Sequence, residues 1–246
     1  MSTPDLVLSG LENWPAGGRR NPPRSGPTYH LLAALSRWMQ QQARECHDTY
    51  GPYRLLDVGC GAKPYYPFFE RYVSRYVGVD PVHPDAELKG TVEDIPVEDG
   101  SYDVVLCTQV LEHCADPDRA VRELRRVTAP GGRVLASTHG VMVYHPSPED
   151  LWRWTHAGLE RLFERNGEWS RVSVTPNAGT GTCVTMVVGV YVSLLAKQVH
   201  AGLVGGILVR GLNRLGPLLD RSSARLREPG PGSLFFNYHV LAEVEK

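Results

Sequence analysis

The sequence predicts an α/β protein: a Rossmann-like, doubly wound and mostly parallel sheet with an antiparallel terminal strand and a helical C-terminal insertion. Two observations carry this prediction. Short apolar runs alternate with amphipathic stretches as far as about residue 140, and these runs are too apolar for a sheet with one face in water. Beyond that point, two further strand-like runs flank a long apolar segment. At 246 residues and 42% hydrophobic content, the chain is large enough to bury one full core.

The individual elements follow from the periodicity of the apolar residues. Residues 1–27 are rich in proline, glycine and arginine and are predicted to be a flexible N-terminal arm or a lid over a site. Residues 28–246 are predicted to form one domain, which opens with a helix over 28–47 behind Thr28 as its N-cap. A second amphipathic helix is predicted over 117–128. Strands are predicted at 54–58, 75–80, 103–107, 133–137, 170–176 and 234–243.

Charge and cysteine content argue against several classes of protein. The formal net charge is -1, so no overall basic field would attract nucleic acid, and no nucleic-acid partner is expected. The five cysteines are scattered without a C-x-x-C pair, so neither a disulfide framework nor a zinc site is predicted, and no metal is expected. The N-terminus lacks the pattern of a secretory signal. These features favour a reduced, cytoplasmic setting.

The sharpest motif is the glycine turn D-V-G-C-G at 57–61, directly after the first predicted strand. Glycines there let the backbone approach a ligand with no Cβ in the way. Asp80 ends the second predicted strand, where its carboxylate could accept hydrogen bonds from ribose hydroxyls. A nicotinamide enzyme has a similar skeleton, but its pyrophosphate needs a third glycine where this chain has Pro64. The motif therefore favours a ribose-bearing cofactor that has no phosphate.

Further motifs follow in order, and together they resemble those of class I S-adenosyl-L-methionine (SAM) dependent methyltransferases. The resemblance covers residues 54–139 and implies that SAM is the cofactor. Besides the glycine turn and Asp80, it rests on V-E-D-I-P at 92–96, S-Y-D-V-V at 101–105, V-L-E-H at 110–113, L-R-R-V at 124–127 and P-G-G at 130–132.

The resemblance also implies a role for each matching residue. Gly59 and Gly61 would face the methionine part of SAM, in the same cofactor-binding turn as Asp57, and Asp80 would accept both ribose hydroxyls. Thr91 and Val92 would flank the adenine, and Gln109 would lie beside the methionine part. The chain departs from the family at Thr91, where many relatives have an aspartate that binds the adenine amine.

A second resemblance concerns the segment D-L-W-R-W-T at 150–155, which is similar to the D-x-x-R-x-T segment of the type-11 methyltransferase group. In that group the loop after the preceding strand borders the pocket for the methyl acceptor. An alternative is that Asp150 and Arg153 pair to brace the loop while the tryptophans pack. The candidates for contact with the acceptor are His139, His145, Asp150, Arg153 and Trp154.

The predicted function is SAM-dependent methyl transfer to a small metabolite or a glycan-type acceptor, with oxygen as the favoured acceptor atom. A hydroxyl acceptor must lose a proton, so His139 or His145 is predicted to be the catalytic base. Glu112 and His113 are either part of this site or only structural. Two alternatives stay open: a SAM-binding module without catalysis and a nucleotide-cofactor oxidoreductase. A monomer or weak homodimer is expected.

The helical insertion is predicted at about 177–233. Its apolar run at 183–196 is shorter than the roughly 18–20 residues that span a bilayer, so a transmembrane hairpin is not expected. A buried helix pair or a wall of the acceptor pocket is the first interpretation. Because arginines crowd the sequence just beyond, peripheral contact with a membrane is the alternative.

Overall fold

Strands and helices alternate along the chain, as the sequence predicts. A computed structural model describes residues 16–145 and 148–246. The elements are α1 (Gly17–Arg20), α2 (Tyr29–Tyr50), β1 (Tyr53–Val58), α3 (Tyr66–Phe69), β2 (Val73–Val79), β3 (Tyr102–Thr108), α4 (Pro117–Val127), β4 (Thr128–His139), α5 (His156–Arg165), β5 (Arg171–Pro176), α6 (Thr180–Gln198), α7 (Gly202–Ser222), a 3₁₀ turn (Ala224–Leu226) and β6 (Asn237–Glu243).

The six strands form one sheet in the order β2-β1-β3-β4-β6-β5. Strand β1 pairs in parallel with β2 and with β3, and β3 pairs in parallel with β4. Strand β6 lies between β4 and β5 and is antiparallel to both. The predicted Rossmann-like sheet with an antiparallel terminal strand is therefore confirmed. Because β1 to β4 run in one direction, the loops that follow them meet at one edge of the sheet, where such folds bind ligands.

Helices cover both faces of the sheet, which explains why the strands are apolar throughout. Successive strand residues point to opposite faces. Thus Leu56 packs in the cluster that contains Leu124 of α4 and Phe163 of α5. Its neighbour Leu55 packs in the cluster that contains Met39 of α2. Strands β1, β3 and β4 are largely buried on both sides in this way, whereas β2, at the edge of the sheet, is fully buried only over residues 77–79.

Two helices begin at side-chain caps, whereas the predicted cap of α2 is wrong. The side chain of Asp116 accepts a hydrogen bond from the amide of Arg119 at 3.0 Å, and Thr155 caps α5 in the same manner. The side chain of Thr28 makes no such bond, because its backbone (φ -96°, ψ 18°) does not have the extended conformation of an N-cap residue. The helix itself is present and runs to Tyr50.

The predicted helical insertion is a hairpin of α6 and α7, and its two helices pack very closely. A Cβ on Gly205 would lie 2.4 Å from the Cβ of Ala196, and one on Gly216 would lie 2.4 Å from the hydroxyl of Thr185. Buried Asp220 of α7 accepts hydrogen bonds from backbone amides at the start of α6, so that helix is capped from its partner. Among the described residues, α6 is the one helix long and apolar enough to cross a membrane, and half of that stretch is buried in the protein.

The described part of the N-terminal segment contacts the domain. The guanidinium of Arg20 donates to the carbonyl of Pro64 at 2.7 Å, and Ser36 of α2 donates to the carbonyl of Arg20 at 2.8 Å. Further along, Asn213 of α7 donates to the carbonyl of Arg24. Residues 1–15 lie outside the described residues, so the predicted arm over 1–27 stays a prediction for that part.

Candidate active site

The glycine turn after β1 leaves open space beside the backbone at the ligand-binding edge. Gly59 and Gly61 have φ angles of +68° and +47°, which favour glycine. A Cβ on Gly59 would lie 2.4 Å from the side chain of Val110, whereas one on Gly61 would have no neighbour within 4 Å. The turn therefore fits a ligand that lies against the backbone of Gly61, as the sequence predicts for SAM.

Asp80 follows β2 and is joined to this turn. Its Oδ2 accepts a hydrogen bond from the amide of Gly61 at 3.1 Å, and its Oδ1 accepts from the amides of Val82 and His83. Burial acts to raise the pKa of Asp80, but the three backbone donors outweigh it and hold the pKa below its usual value. The carboxylate is thus ionised near neutral pH, and Oδ2 keeps an acceptor position for a ribose hydroxyl.

Asp57, near the end of β1, has a buried carboxylate whose partner the sequence did not reveal. The hydroxyl of Tyr76 on β2 donates to Oδ2 of Asp57 at 2.6 Å. Burial raises the pKa of Asp57 to about 7, although the tyrosine opposes this shift. Tyr76 belongs to no motif, and only the parallel register of β1 and β2 brings it to Asp57.

Gln109 comes directly after β3 and is held in a strained conformation. Its φ of +58° is unusual for a residue other than glycine. Its side-chain amide donates to Ser137 and to Asn237, each at 2.9 Å. Asn237 is fully buried and lies 128 residues away in the sequence, so no local signal points to it. The loop predicted to hold the methionine part of SAM is therefore fixed by β6, the last strand along the chain.

The two predicted adenine neighbours occupy different environments. Thr91 is exposed, and it forms an isolated bridge with Asp94. The side chain of Val92 is buried in the core cluster that also contains Ile95. Their roles beside the adenine stay a prediction.

The loop after β3 and the end of β4 bring Glu112 to His139. Glu112 is fully buried; its Oε2 accepts from the hydroxyl of Thr138 at 2.8 Å, and its Oε1 lies 3.3 Å from Nε2 of His139. Burial raises the pKa of Glu112 to about 7. Burial, and next the charge of His145, lower the pKa of His139 to about 3, so His139 is neutral at neutral pH.

The second predicted histidine, His145, lies next to the first. Its ring centroid is 5.2 Å from that of His139, and the two rings are nearly perpendicular. Nδ1 of His145 lies 3.1 Å from the buried carboxylate of Asp150. The guanidinium of Arg153 donates two hydrogen bonds to the same carboxylate, at 2.6 and 2.5 Å, and these hold the pKa of Asp150 well below its usual range. Nδ1 of His145 also lies 3.2 Å from the carbonyl oxygen of Val143, and the backbone amide of His145 donates to Asp150 at 3.0 Å. The Asp150 anion and this carbonyl therefore orient His145 through Nδ1 and leave its Nε2 available.

The bracing interpretation of the loop matches these contacts, because Arg153 pairs with Asp150. The tryptophans also pack: the rings of Trp152 and Trp154 are stacked with centroids 5.7 Å apart. The indole of Trp152 donates to the carbonyl of Cys114 at 2.8 Å. Arg153 and Trp154 thus have structural partners, although both stay next to the histidines.

Three side chains here could hold a divalent cation. The ligand atoms of Glu112, His113 and His145 lie within 4.8 Å of one another. Nδ1 of His113 lies 2.6 Å from the carbonyl oxygen of Glu149, which leaves its Nε2 as the metal-facing atom. The sequence predicts no metal, because it contains no C-x-x-C pair and these three residues come from two separate loops.

Comparison with known proteins agrees with this geometry. Residues 56–136 match a family model described as a methyltransferase domain. The chain is 32% identical over 114 residues to the uncharacterized methyltransferase YcgJ of Bacillus subtilis, covering 40% of this chain and 43% of that protein. It is 30% identical over 166 residues to a ubiquinone biosynthesis O-methyltransferase of Nitrobacter winogradskyi, covering 54% of this chain and 63% of that protein. The match thus spans about half the length of the curated relatives.

Solved structures share the fold at low sequence identity. The crystal structure of YcgJ aligns with a TM-score of 0.50 at 17% identity, over 85% of this chain and 99% of that one. The [4+2]-cyclase SpnF aligns with a TM-score of 0.50 at 17% identity, over 84% of this chain and 80% of that one. The glycine turn, Asp80, the sheet order and the family match over 56–136 agree with one another. Residues 56–136 of this chain therefore form a SAM-dependent methyltransferase domain of the type-11 group, with S-adenosyl-L-methionine as its cofactor.

Proposed function

We propose that this protein transfers the methyl group of SAM to a hydroxyl oxygen of a small metabolite or a glycan-type acceptor. The observation that carries the choice of oxygen is the pair of Asp150 and His145, in which an ionised carboxylate lies 3.1 Å from Nδ1 and leaves Nε2 available. A hydroxyl needs a base, and this pair has the order of groups that orients a histidine for that task.

The residues of the chain divide this work between binding and proton transfer. When bound, SAM supplies a methyl group on a positively charged sulfonium. Gly59, Gly61 and Gln109 would hold its methionine part, and Asp80 its ribose. Nε2 of His145 takes the proton of the acceptor hydroxyl while the oxygen gains the methyl group, which leaves S-adenosylhomocysteine and a protonated histidine balanced by Asp150.

His139 is the weaker of the two predicted bases. It is buried, and its low pKa means that it holds no proton at neutral pH. Its ring packs against His145, and its Nε2 faces Glu112. We assign His139 a positioning role: its ring, like that of His113, packs edge to face against His145, while Asp150 lies at Nδ1 of His145.

One relative also supports oxygen as the acceptor atom. The Nitrobacter protein is named an O-methyltransferase, and its match extends beyond the cofactor motifs. The relative's name does not identify the acceptor of this chain. In this chain the loop at the proposed acceptor site is braced by Asp150 and Arg153, and the α6–α7 hairpin packs beside it. We further propose a cytoplasmic protein, monomeric or weakly dimeric, that does not act on nucleic acid and whose α6–α7 hairpin makes peripheral contact with a membrane.

The second candidate function is a SAM-binding module without methyl transfer. The shared fold of the cyclase SpnF favours testing it, since the same fold occurs in a protein named for another reaction. Binding of SAM alone does not separate the two. The purified protein should be incubated with labelled SAM and pools of hydroxyl-bearing metabolites and glycans, and release of S-adenosylhomocysteine measured. Turnover that His145→Ala abolishes supports the proposal, and binding without turnover in every pool supports the module.

A further inference from the structure

The α6–α7 hairpin exposes an unusually large apolar surface. Most of the large apolar side chains that are exposed among the described residues belong to this one feature. Surfaces of this kind on a protein mark contact with another protein or with a membrane. The exposed side chains are Val184, Val188, Tyr191, Leu194, Leu195, Val199, Leu203, Val204, Ile207, Leu208, Leu215, Leu218 and Leu219.

Beside this apolar surface, α7 carries a row of arginines. Arg210, Arg214 and Arg221 lie four and seven residues apart, so they share one side of the helix within about 40° at about 100° per residue. Ile207 and Leu218 project from a neighbouring side of the same helix, within about 60° of the middle of this row, and both are exposed. A helix with one basic and one apolar side is typical of proteins that lie on an anionic membrane.

The arginines of α7 line a pocket whose other wall is the N-terminal segment. A cavity of about 500 Å³ that is open to solvent is lined by Arg24, Tyr29, His30 and α7. The wall is held in place: Nδ2 of buried Asn213 donates to the carbonyls of Arg24 and Gly26 at 3.0 and 2.9 Å. Nε2 of His30 lies 2.7 Å from the carbonyl of Asn213. The pocket is therefore a formed site.

The four arginines of this pocket are not neutralised by any ion pair in the part of the chain that the structure describes. Within residues 16–145 and 148–246, no side chain forms an ion pair or a hydrogen bond with the guanidinium of Arg24, Arg210, Arg214 or Arg221. The nearby carboxylate of Asp220 is buried and already accepts hydrogen bonds from the start of α6. Guanidinium groups match the geometry of phosphate oxygens, to which they can donate two hydrogen bonds each. The pocket thus suits a phosphate group.

We propose that this four-arginine pocket binds the phosphate headgroup of an anionic membrane lipid while the apolar side of the hairpin enters the lipid surface. A lipid is the favoured source of the phosphate because exposed Ile207 and Leu218 of α7 adjoin the arginines, and a free phosphate would leave them in water. The inference rests on the peripheral membrane contact proposed above and adds to it the headgroup and the residues that select it.

Such a site would bring the acceptor loop close to the membrane. Cys183 and Met186, in the first turns of α6, share an apolar cluster with Met142, which lies between the two histidines. A hairpin held by a lipid phosphate therefore carries the acceptor side of the active site with it.

Flotation of the full chain with vesicles tests the proposal. Vesicles of neutral phosphatidylcholine, alone or with phosphatidic acid, are compared at low and high salt, with and without inorganic phosphate. We expect flotation with phosphatidic acid only, weakened by salt and by millimolar phosphate. The charge reversal R214E with R221E should lower the bound fraction at least about tenfold. The control R225E with R227E makes the same charge change outside the pocket and should have a smaller effect. Circular dichroism and SAM affinity check that each variant is folded.

The other outcomes separate the possible sources of the phosphate. Equal losses in the two double variants would overturn the pocket and leave only diffuse surface charge. Equal flotation with neutral vesicles would overturn the headgroup while supporting membrane contact. If calorimetry shows that inorganic phosphate binds and that R214E abolishes this binding, while no vesicles carry the protein in flotation, then a lipid is not the source of the phosphate. If sedimentation shows a stable dimer that L208E converts to a monomer, and the protein does not float with vesicles, the apolar side contacts a second copy of this chain and not a membrane.

Discussion

Oε1 of Glu112 lies 3.3 Å from Nε2 of His139, yet within the described residues neither this oxygen nor Nδ1 of His139 has a hydrogen-bond partner. Leaving buried polar atoms unpaired costs stability, on the order of 1–3 kcal/mol for each group. Such a cost is typical of residues kept for function rather than for the fold.

Glu112→Gln should therefore stabilise the fold of the protein and lower its turnover. Glutamine has the same shape, can still accept from Thr138, and can donate from its amide towards His139. We expect the free energy of unfolding to rise by about 1 kcal/mol while turnover falls, as measured by urea denaturation and S-adenosylhomocysteine release. Glu149→Gln, an exposed change on the neighbouring loop, is the control. A destabilised but fully active Glu112→Gln variant would contradict this prediction.

Asp80→Ala should remove SAM binding without unfolding the domain. The variant loses charge-assisted hydrogen bonds to the ribose, so affinity should fall by about 3 kcal/mol, or more than a hundredfold. Calorimetry measures the affinity, and circular dichroism checks the fold. Asp85→Ala, a change at an exposed carboxylate of the same loop, should keep full affinity. Near-normal binding by Asp80→Ala would remove Asp80 from the cofactor site.

His145→Ala should lower turnover by about 10²- to 10⁴-fold and leave SAM affinity nearly unchanged, because a base acts in the transition state. His139→Ala should lower turnover less, as expected for a positioning residue, and His139→Gln should recover part of the loss. His200→Ala, at the far end of the hairpin, is the control. If both histidine variants and the double variant kept full activity, alignment of the reactants alone would account for the reaction.

Stability should fall as the pH rises through the range in which Asp57 ionises. Its pKa is about 7 in the folded state, above its ordinary value near 4, so the folded protein binds this proton more tightly than the unfolded chain does. The contribution of Asp57 is therefore largest below about pH 4 and is lost between about pH 4 and 7. Asp57→Asn should gain on the order of 1–3 kcal/mol relative to the original protein between pH 5 and pH 8. Urea denaturation at both pH values measures this, and a pH-independent difference would refute it.

Chelation of divalent cations should leave turnover unchanged, because the proposed reaction uses His145 as a base rather than as a ligand. The test is S-adenosylhomocysteine release after dialysis against a chelator, with and without added Mg²⁺, Mn²⁺ or Zn²⁺. Activity that disappears and returns with one of these ions would instead assign Glu112, His113 and His145 as its ligands.

The sequence predicted the sheet, and it located the glycine turn at the end of β1, because these signals are local. Apolar runs between turn residues mark strands, and the glycine turn lies in one stretch of five residues. The partners of Asp57 and Gln109 were not predicted, since Tyr76 and Asn237 reach them only through the register of the sheet. The pairing of Glu112 with His139 was missed for the same reason, because Glu112 lies in the loop after β3 and His139 ends β4. The arginine pocket needed the contact between Arg24 and α7, which no periodicity reveals.

The position of β6 between β4 and β5 has a consequence for the order in which the molecule is made. During synthesis, Gln109 and both histidines emerge well before residues 237–243, which fill the gap in the sheet and supply Asn237. Until then the facing edges of β4 and β5 lack their partner and offer unpaired backbone groups to other chains. The cofactor loop is therefore completed late, by a contact between Gln109 and Asn237 that joins residues 128 positions apart in the sequence. Contacts between residues so far apart in the sequence favour slow folding. A nascent chain stalled before residue 237 should be unable to bind SAM and should need protection from aggregation.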